Sequence, residues 1–143
     1  MPFHIMLFYA LLLANCGYAL VSGGKPERLA AAMLLAATIL SKLVALEVFG
    51  HFRGFELDVF WVDVALLLGL TALALNTDRY WPIWMTALHA YTVVAHLGEL
   101  ANPGTVFPIY MINSALVSYP IVTMVGIATW RHRARLRLGI IES

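Results

Sequence analysis

The chain has 143 residues, of which 62% are hydrophobic and 12% charged, with a formal net charge of +1. A soluble domain is about 45–50% apolar and about 25% charged, so this composition excludes an ordinary soluble domain, a disordered chain and a disulfide-rich secreted module. The near-neutral balance leaves no broad basic face for nucleic acid, and the one cysteine, Cys16, permits no internal disulfide. What remains is a small polytopic membrane protein whose first partner is the lipid bilayer.

A helix needs roughly 20 mostly apolar residues to cross the hydrocarbon core. Five segments meet that length. The first spans residues 3–21 and stops at Ser22-Gly23-Gly24-Lys25-Pro26, a helix stop followed by a turn. The second spans 28–49, with Pro26 and Glu27 suited to a helix start. A short connector, residues 50–55, leads to the third at 56–75. Asn76-Thr77-Asp78 then supplies capping residues before the fourth at 80–100. Asn102-Pro103-Gly104 is a strong turn, and the fifth runs over 107–130. Residues 131–143 form a basic tail. The apolar runs are continuous rather than alternating, which excludes barrel strands. The expected fold is therefore all-α: one domain, a transmembrane bundle of five helices.

Lys and Arg counts orient such a bundle. Lys25, Arg28, Arg79, Arg131, Arg133, Arg135 and Arg137 fall on one side and Arg53 on the other. That bias predicts an N-terminus outside and a C-terminus in the cytoplasm. No basic segment precedes the first apolar run, which reads as a retained helix rather than a signal peptide. Tyr80, Trp81, Trp84 and Trp130 on one side, and Phe52, Phe55, Phe60 and Trp61 on the other, match the aromatic belts of bilayer interfaces.

Ionisable groups inside a bilayer are costly and mark functional sites. At about 1.5 Å rise per residue, Lys42 and Asp63 both lie roughly 10 Å below the outer surface, Asn113 roughly 9 Å and His96 roughly 6 Å. Four helices thus place a polar group in one layer. Lys42 and Asp63, at equal depth on consecutive helices, are expected to form an ion pair. Lys42, Asp63, His96 and Asn113 would line an outward-facing cavity, with Glu47, His51 and Glu99 at its mouth. Pro120 is expected to kink the fifth helix beside that layer.

Two other chemistries use the same residues. His96 and Glu99 are three apart, and Glu47 and His51 four apart, each a same-face spacing. Together they would present two imidazoles and two carboxylates to Zn²⁺ or another transition metal. His89 lies near mid-bilayer, two turns from His96, where a membrane haem or bacteriochlorophyll takes an axial imidazole. A plain alternative for His89 is a hydrogen bond to Asn15, Thr71 or Ser118.

The run Asn76-Thr77-Asp78-Arg79-Tyr80-Trp81-Pro82-Ile83-Trp84, with Ser118-Tyr119-Pro120 and Thr129-Trp130-Arg131-His132-Arg133, resembles small inner-membrane proteins of proteobacteria that have no assigned activity. The resemblance covers most of the last two thirds of the chain. It implies a multi-pass protein of the bacterial inner membrane and carries no mechanism. The expected function is non-enzymatic: a cavity that binds a small ligand, ion or proton, in a chain acting alone, as a homo-oligomer or as an accessory subunit of a membrane assembly. A metal-dependent membrane enzyme at the outer interface, and a tetrapyrrole- or quinone-binding electron-transfer anchor, are the alternatives.

Overall fold

A computed structural model describes the backbone of residues 2–47, 55–102 and 107–141, and their side chains apart from 45–47, 55–56, 107–111 and 113–115. The chain forms five helices and, among the described residues, no strand: α1 (Phe3–Ser22), α2 (Lys25–Glu47), α3 (Phe55–Leu75), α4 (Trp81–Ala101) and α5 (Phe107–Arg137). Consecutive helices pack on one another and α5 returns to α1, closing a ring. Met33 packs on Gly69 while Lys42 and Asp63 line one cavity, so α2 and α3 run antiparallel. Two ends result. One carries the α1–α2 and α3–α4 connections and the C-terminal end of α5, and is rich in arginine. The other carries the α2–α3 and α4–α5 connections.

The inward faces follow the helical period. On α3 they are Asp63, Leu66, Leu70 and Leu73; on α4 they are Met85, His89, Val93, His96 and Glu99. Cys16, Ala19, Ala30 and Ala31 are buried on α1 and α2, where small side chains let the backbones approach closely. Gly126 serves the same end on α5: a Cβ there would overlap Asn15 Oδ1. The core between the two ends is otherwise apolar, built from Leu12, Leu34, Leu70, Met85, Val122 and Val125 among others.

The helix ends explain where the sequence expectation shifts. Asn76 and Thr77 do not cap the start of α4. Their side chains turn back to Ala72 O (2.7 Å) and Leu73 O (2.9 Å), satisfying the last carbonyls of α3. The residue before α4, Tyr80, makes no side-chain cap bond, and Pro82 occupies the first turn instead. α2 begins at Lys25, three residues early, with Gly24 O already accepting from Arg28 N at 3.0 Å. Pro120 lies inside α5, which continues as one helix through it.

The largest difference is at the C-terminus. α5 does not stop at Trp130 but runs seven residues further into the basic segment. Arg, Ala and Leu are good helix formers, and nothing breaks the helix before Gly139. Gly139 has φ +66, its N–H donates to Leu136 O, and the N–H of Ile140 donates to Arg135 O. That is a Schellman stop, which needs the left-handed conformation glycine allows.

The outside of the bundle is apolar. Phe3–Ser22 and Leu57–Leu75 are long and apolar enough to cross a membrane, with mean hydropathies of 1.8 and 1.9. Only 17% and 11% of those windows are buried within the bundle, unlike the core helix of a soluble protein. Leu68, Leu75, Val94, Leu116 and Ile127 all face outward.

Candidate functional site

Asp63 is the centre of the polar layer. The inward stripe of α3 points its carboxylate at α4, which presents His89 and His96 two turns apart on its own inward face. His96 Nε2 stands 2.7 Å from Asp63 Oδ2. That distance suits an N–H donating to an ionised carboxylate. His89 Nε2 is 3.8 Å from Asp63 Oδ1 but 3.0 Å from the Asp63 backbone carbonyl, to which it donates. A helical carbonyl has a second lone pair free for such a bond. The His89 bond therefore places a proton on Nε2. The two imidazoles are 5% and 8% exposed, and the Asp63 side chain 17%. Phe60 packs edge-on against the His96 ring at 6.3 Å between centroids.

The same groups wall a cavity of about 370 Å³ that reaches all five helices. Tyr9 comes from α1, Lys42 from α2, Asp63 from α3, His89 and His96 from α4, and Ser118 from α5. Lys42 does not form the expected ion pair with Asp63. Its ammonium lies 5.1 Å from the centre of the Tyr9 ring, a cation–π distance, while the Asp63 oxygens face the α4 imidazoles. Equal depth placed the two residues on one cavity, but the rotation of α2 directs Lys42 toward α1. Tyr119, at the same end, donates its hydroxyl to His4 O at 2.7 Å and ties α5 to the start of α1.

The remaining expectations divide. The Asn113 and Glu47 side chains and the whole of His51 lie outside the described residues. Glu99 is buried one turn beyond His96. Among the described residues no group of three or more His, Cys, Asp or Glu stands together as a metal site. Asn15 and Thr71 bond to carbonyls of their own helices, Leu11 O and Leu67 O, not to His89. Axial ligation of a tetrapyrrole through His89 Nε2 would require breaking its bond to Asp63 O.

A second polar cluster, at the Arg-rich end, is absent from the sequence reading. Glu27, in the first turn of α2, is 0% exposed. Both of its oxygens, together with buried Trp81 Nε1, His132 Nδ1 and Arg135 Nε, have no hydrogen-bond partner within the described protein. His132 and Glu27 converge on Gly24: a Cβ there would lie 2.7 Å from His132 Cε1 and 3.0 Å from Glu27 Oε2. Partial burial holds the Arg135 guanidinium below its ordinary value. Arg79 and Arg131 push it the same way, while Glu27 opposes them. The signal available in the sequence was Gly139: a C-terminal glycine stop there predicts α5 to 137 and so places His132 and Arg135 over the start of α2.

No protein-family model, no curated protein and no solved structure matches the chain.

Proposed function

We propose that the chain is a multi-pass protein of a bacterial inner membrane, with its C-terminus in the cytoplasm, whose five-helix bundle holds a proton-responsive polar cavity in its outer half. The observation that carries this reading is Asp63, bonded to His96 at 2.7 Å on the wall of the cavity, inside a bundle whose outside is apolar. Imidazole is the side chain that ordinarily changes charge between about pH 5 and 8. An Asp–His contact gains or loses its ionic character as that proton binds. Around it stand Tyr9, Lys42 and His89, with Ser118 as the contribution of α5.

The membrane placement has independent support. An apolar exterior with inward polar groups suits lipid rather than water. α5, with 31 residues, is about 46 Å long and exceeds a hydrocarbon core of about 30 Å. The excess carries Arg131, Arg133, Arg135 and Arg137 past the interface, beside exposed Trp84 and Trp130.

The test is nitrogen-15 spectroscopy of the imidazoles, with the full chain in lipid nanodiscs, across about pH 5 to 8. The His96 Nε2 signal is expected to differ in Asp63→Asn, because that nitrogen loses its carboxylate partner at 2.7 Å. Identical His96 signals in both proteins across that range would remove the coupling and the reading with it. A reporter fused after Ser143 is expected to be active on the cytoplasmic side; activity outside would reverse the orientation.

A further inference from the structure

The geometry points to a small amphipathic carboxylate as the ligand of the Asp63 cavity, with its headgroup on Lys42 and its apolar chain among Leu12, Leu34, Leu66 and Ile121. The inference deepens the cavity reading above and rests on it only for the existence of that site.

Charge selects the headgroup. Asp63 already has His96 at 2.7 Å, with His89 Nε2 at 3.8 Å from its other oxygen. A cationic ligand would meet a carboxylate already engaged through Oδ2, with the His89 ring beside Oδ1. Lys42 is the cavity's other full charge, and no carboxylate stands within ion-pair distance of it among the described residues; its only described partner is the face of Tyr9. A ring face attracts the ammonium but accepts no conventional hydrogen bond from all three of its donors. Asp63 is engaged by His96, and Lys42 faces the cavity with no carboxylate within ion-pair distance among the described residues. A carboxylate completes that arrangement.

Shape selects the rest. The volume of about 370 Å³ lies near the lower end of the roughly 300–1,000 Å³ typical of small-molecule sites. Beyond the polar wall the lining is aliphatic and aromatic, including Phe8, Leu12, Leu34, Leu66, Ile121 and Val122. A short hydrocarbon chain buries apolar surface there, which is the usual driving force in such sites. A strongly hydrated inorganic anion would gain nothing from that wall.

The experiment is calorimetric titration of the full chain in nanodiscs of zwitterionic lipid, with empty nanodiscs as the blank. Three probes share one chain length: hexanoate, hexylammonium and hexanol. Saturable hexanoate binding is expected, with hexanol weaker and hexylammonium unbound. Lys42→Met and Lys42→Gln are each expected to weaken hexanoate about tenfold to hundredfold and to leave hexanol unchanged. Lys42 is exposed rather than packed in the core, and helical content read by circular dichroism verifies that each variant is folded. Hexylammonium binding as tightly as hexanoate overturns the proposal. So does hexanoate affinity that is the same in both folded Lys42 variants, or wild-type protein that binds no hexanoate. A His96 signal that shifts in Asp63→Asn while hexanoate fails overturns the ligand class alone. Lys42-dependent hexanoate binding without that shift overturns the proton reading and keeps the ligand.

Discussion

Each end of the bundle turns a carboxylate inward, and the two are held in different ways. Asp63 sits between two imidazoles, one at 2.7 Å, on the wall of an open cavity. Glu27 is completely buried, neither of its oxygens finds a hydrogen bond, and three nitrogens at the same end are equally unpaired. A paired carboxylate fixes the geometry of its neighbours, whereas an unpaired one costs several kcal/mol of desolvation with nothing direct to offset it. Between the clusters lies an apolar waist, sealed where Asn15 packs on Gly126. The polar layer at one end thus has the form of a site, and the cluster at the other has the form of a joint closed by the end of α5.

That contrast breaks if removing Asp63 costs little. Asp63→Ala leaves His96 without its carboxylate, in a position only 8% exposed. The expected loss is about 2–3 kcal/mol of stability, read as a lower unfolding midpoint in detergent. Asp63→Asn keeps one acceptor and should lose less. Equal midpoints for Asp63→Ala and wild type would reduce the pair to an ornament of the cavity wall.

The waist comes next. Gly126→Ala drives a methyl group into Asn15 Oδ1, and α1 and α5 must separate to admit it. Overpacking of this kind costs about 1–3 kcal/mol. Asn15→Ala in the same chain makes room and should recover most of the loss. If the double variant is no better than Gly126→Ala, the helices meet somewhere other than this contact.

Glu27 should respond with the opposite sign to Asp63. Glu27→Met removes a buried charge that has no direct partner and keeps most of the volume. The expected change is a gain of about 1 kcal/mol, measured by the same unfolding assay. A loss of similar size would mean that Arg135, which feels the Glu27 charge, is bridged to it through water, and the two ends would then be alike.

What the sequence revealed follows from these particulars. The polar layer was legible because depth along a helix follows from counting residues at about 1.5 Å each. Lys42, Asp63 and His96 do line one cavity, as that count requires. Rotation about each axis was not legible, since packing sets it. Hence Lys42 was assigned to Asp63, when α2 turns it toward Tyr9. His89 had only side chains considered as partners, and its acceptor is a backbone carbonyl, which no side-chain pattern reveals. Glu27 reads only as a helix-start residue when the fifth helix is ended at Trp130, because the turns that cover it lie beyond that point. A run of arginines carries two signals, membrane topology and helix propensity, and the second, with the stop at Gly139, extends α5 over Glu27.

The smallest effect is also the finest measure of that joint. Gly24→Ala brings a Cβ to 2.7 Å from His132 Cε1 and 3.0 Å from Glu27 Oε2. Both are far ends of side chains, so the clash is relieved if His132 swings away. Against it stands the gain of about 0.4–1 kcal/mol from stiffening the unfolded chain, because Gly24 lies outside the positive-φ region. The two terms nearly cancel, and Gly24→Ala alone should shift the midpoint little in either direction. His132→Ala removes the closer contact and leaves only Glu27 Oε2 at 3.0 Å. Gly24→Ala introduced on that background should then stabilise by much of the stiffening gain of about 0.4–1 kcal/mol. The difference between the two backgrounds measures how firmly α5 is docked on the start of α2. If Gly24→Ala has the same effect with and without the imidazole, His132 does not hold the joint, and the burial of Glu27 must come from Trp81 and the helix backbones around it.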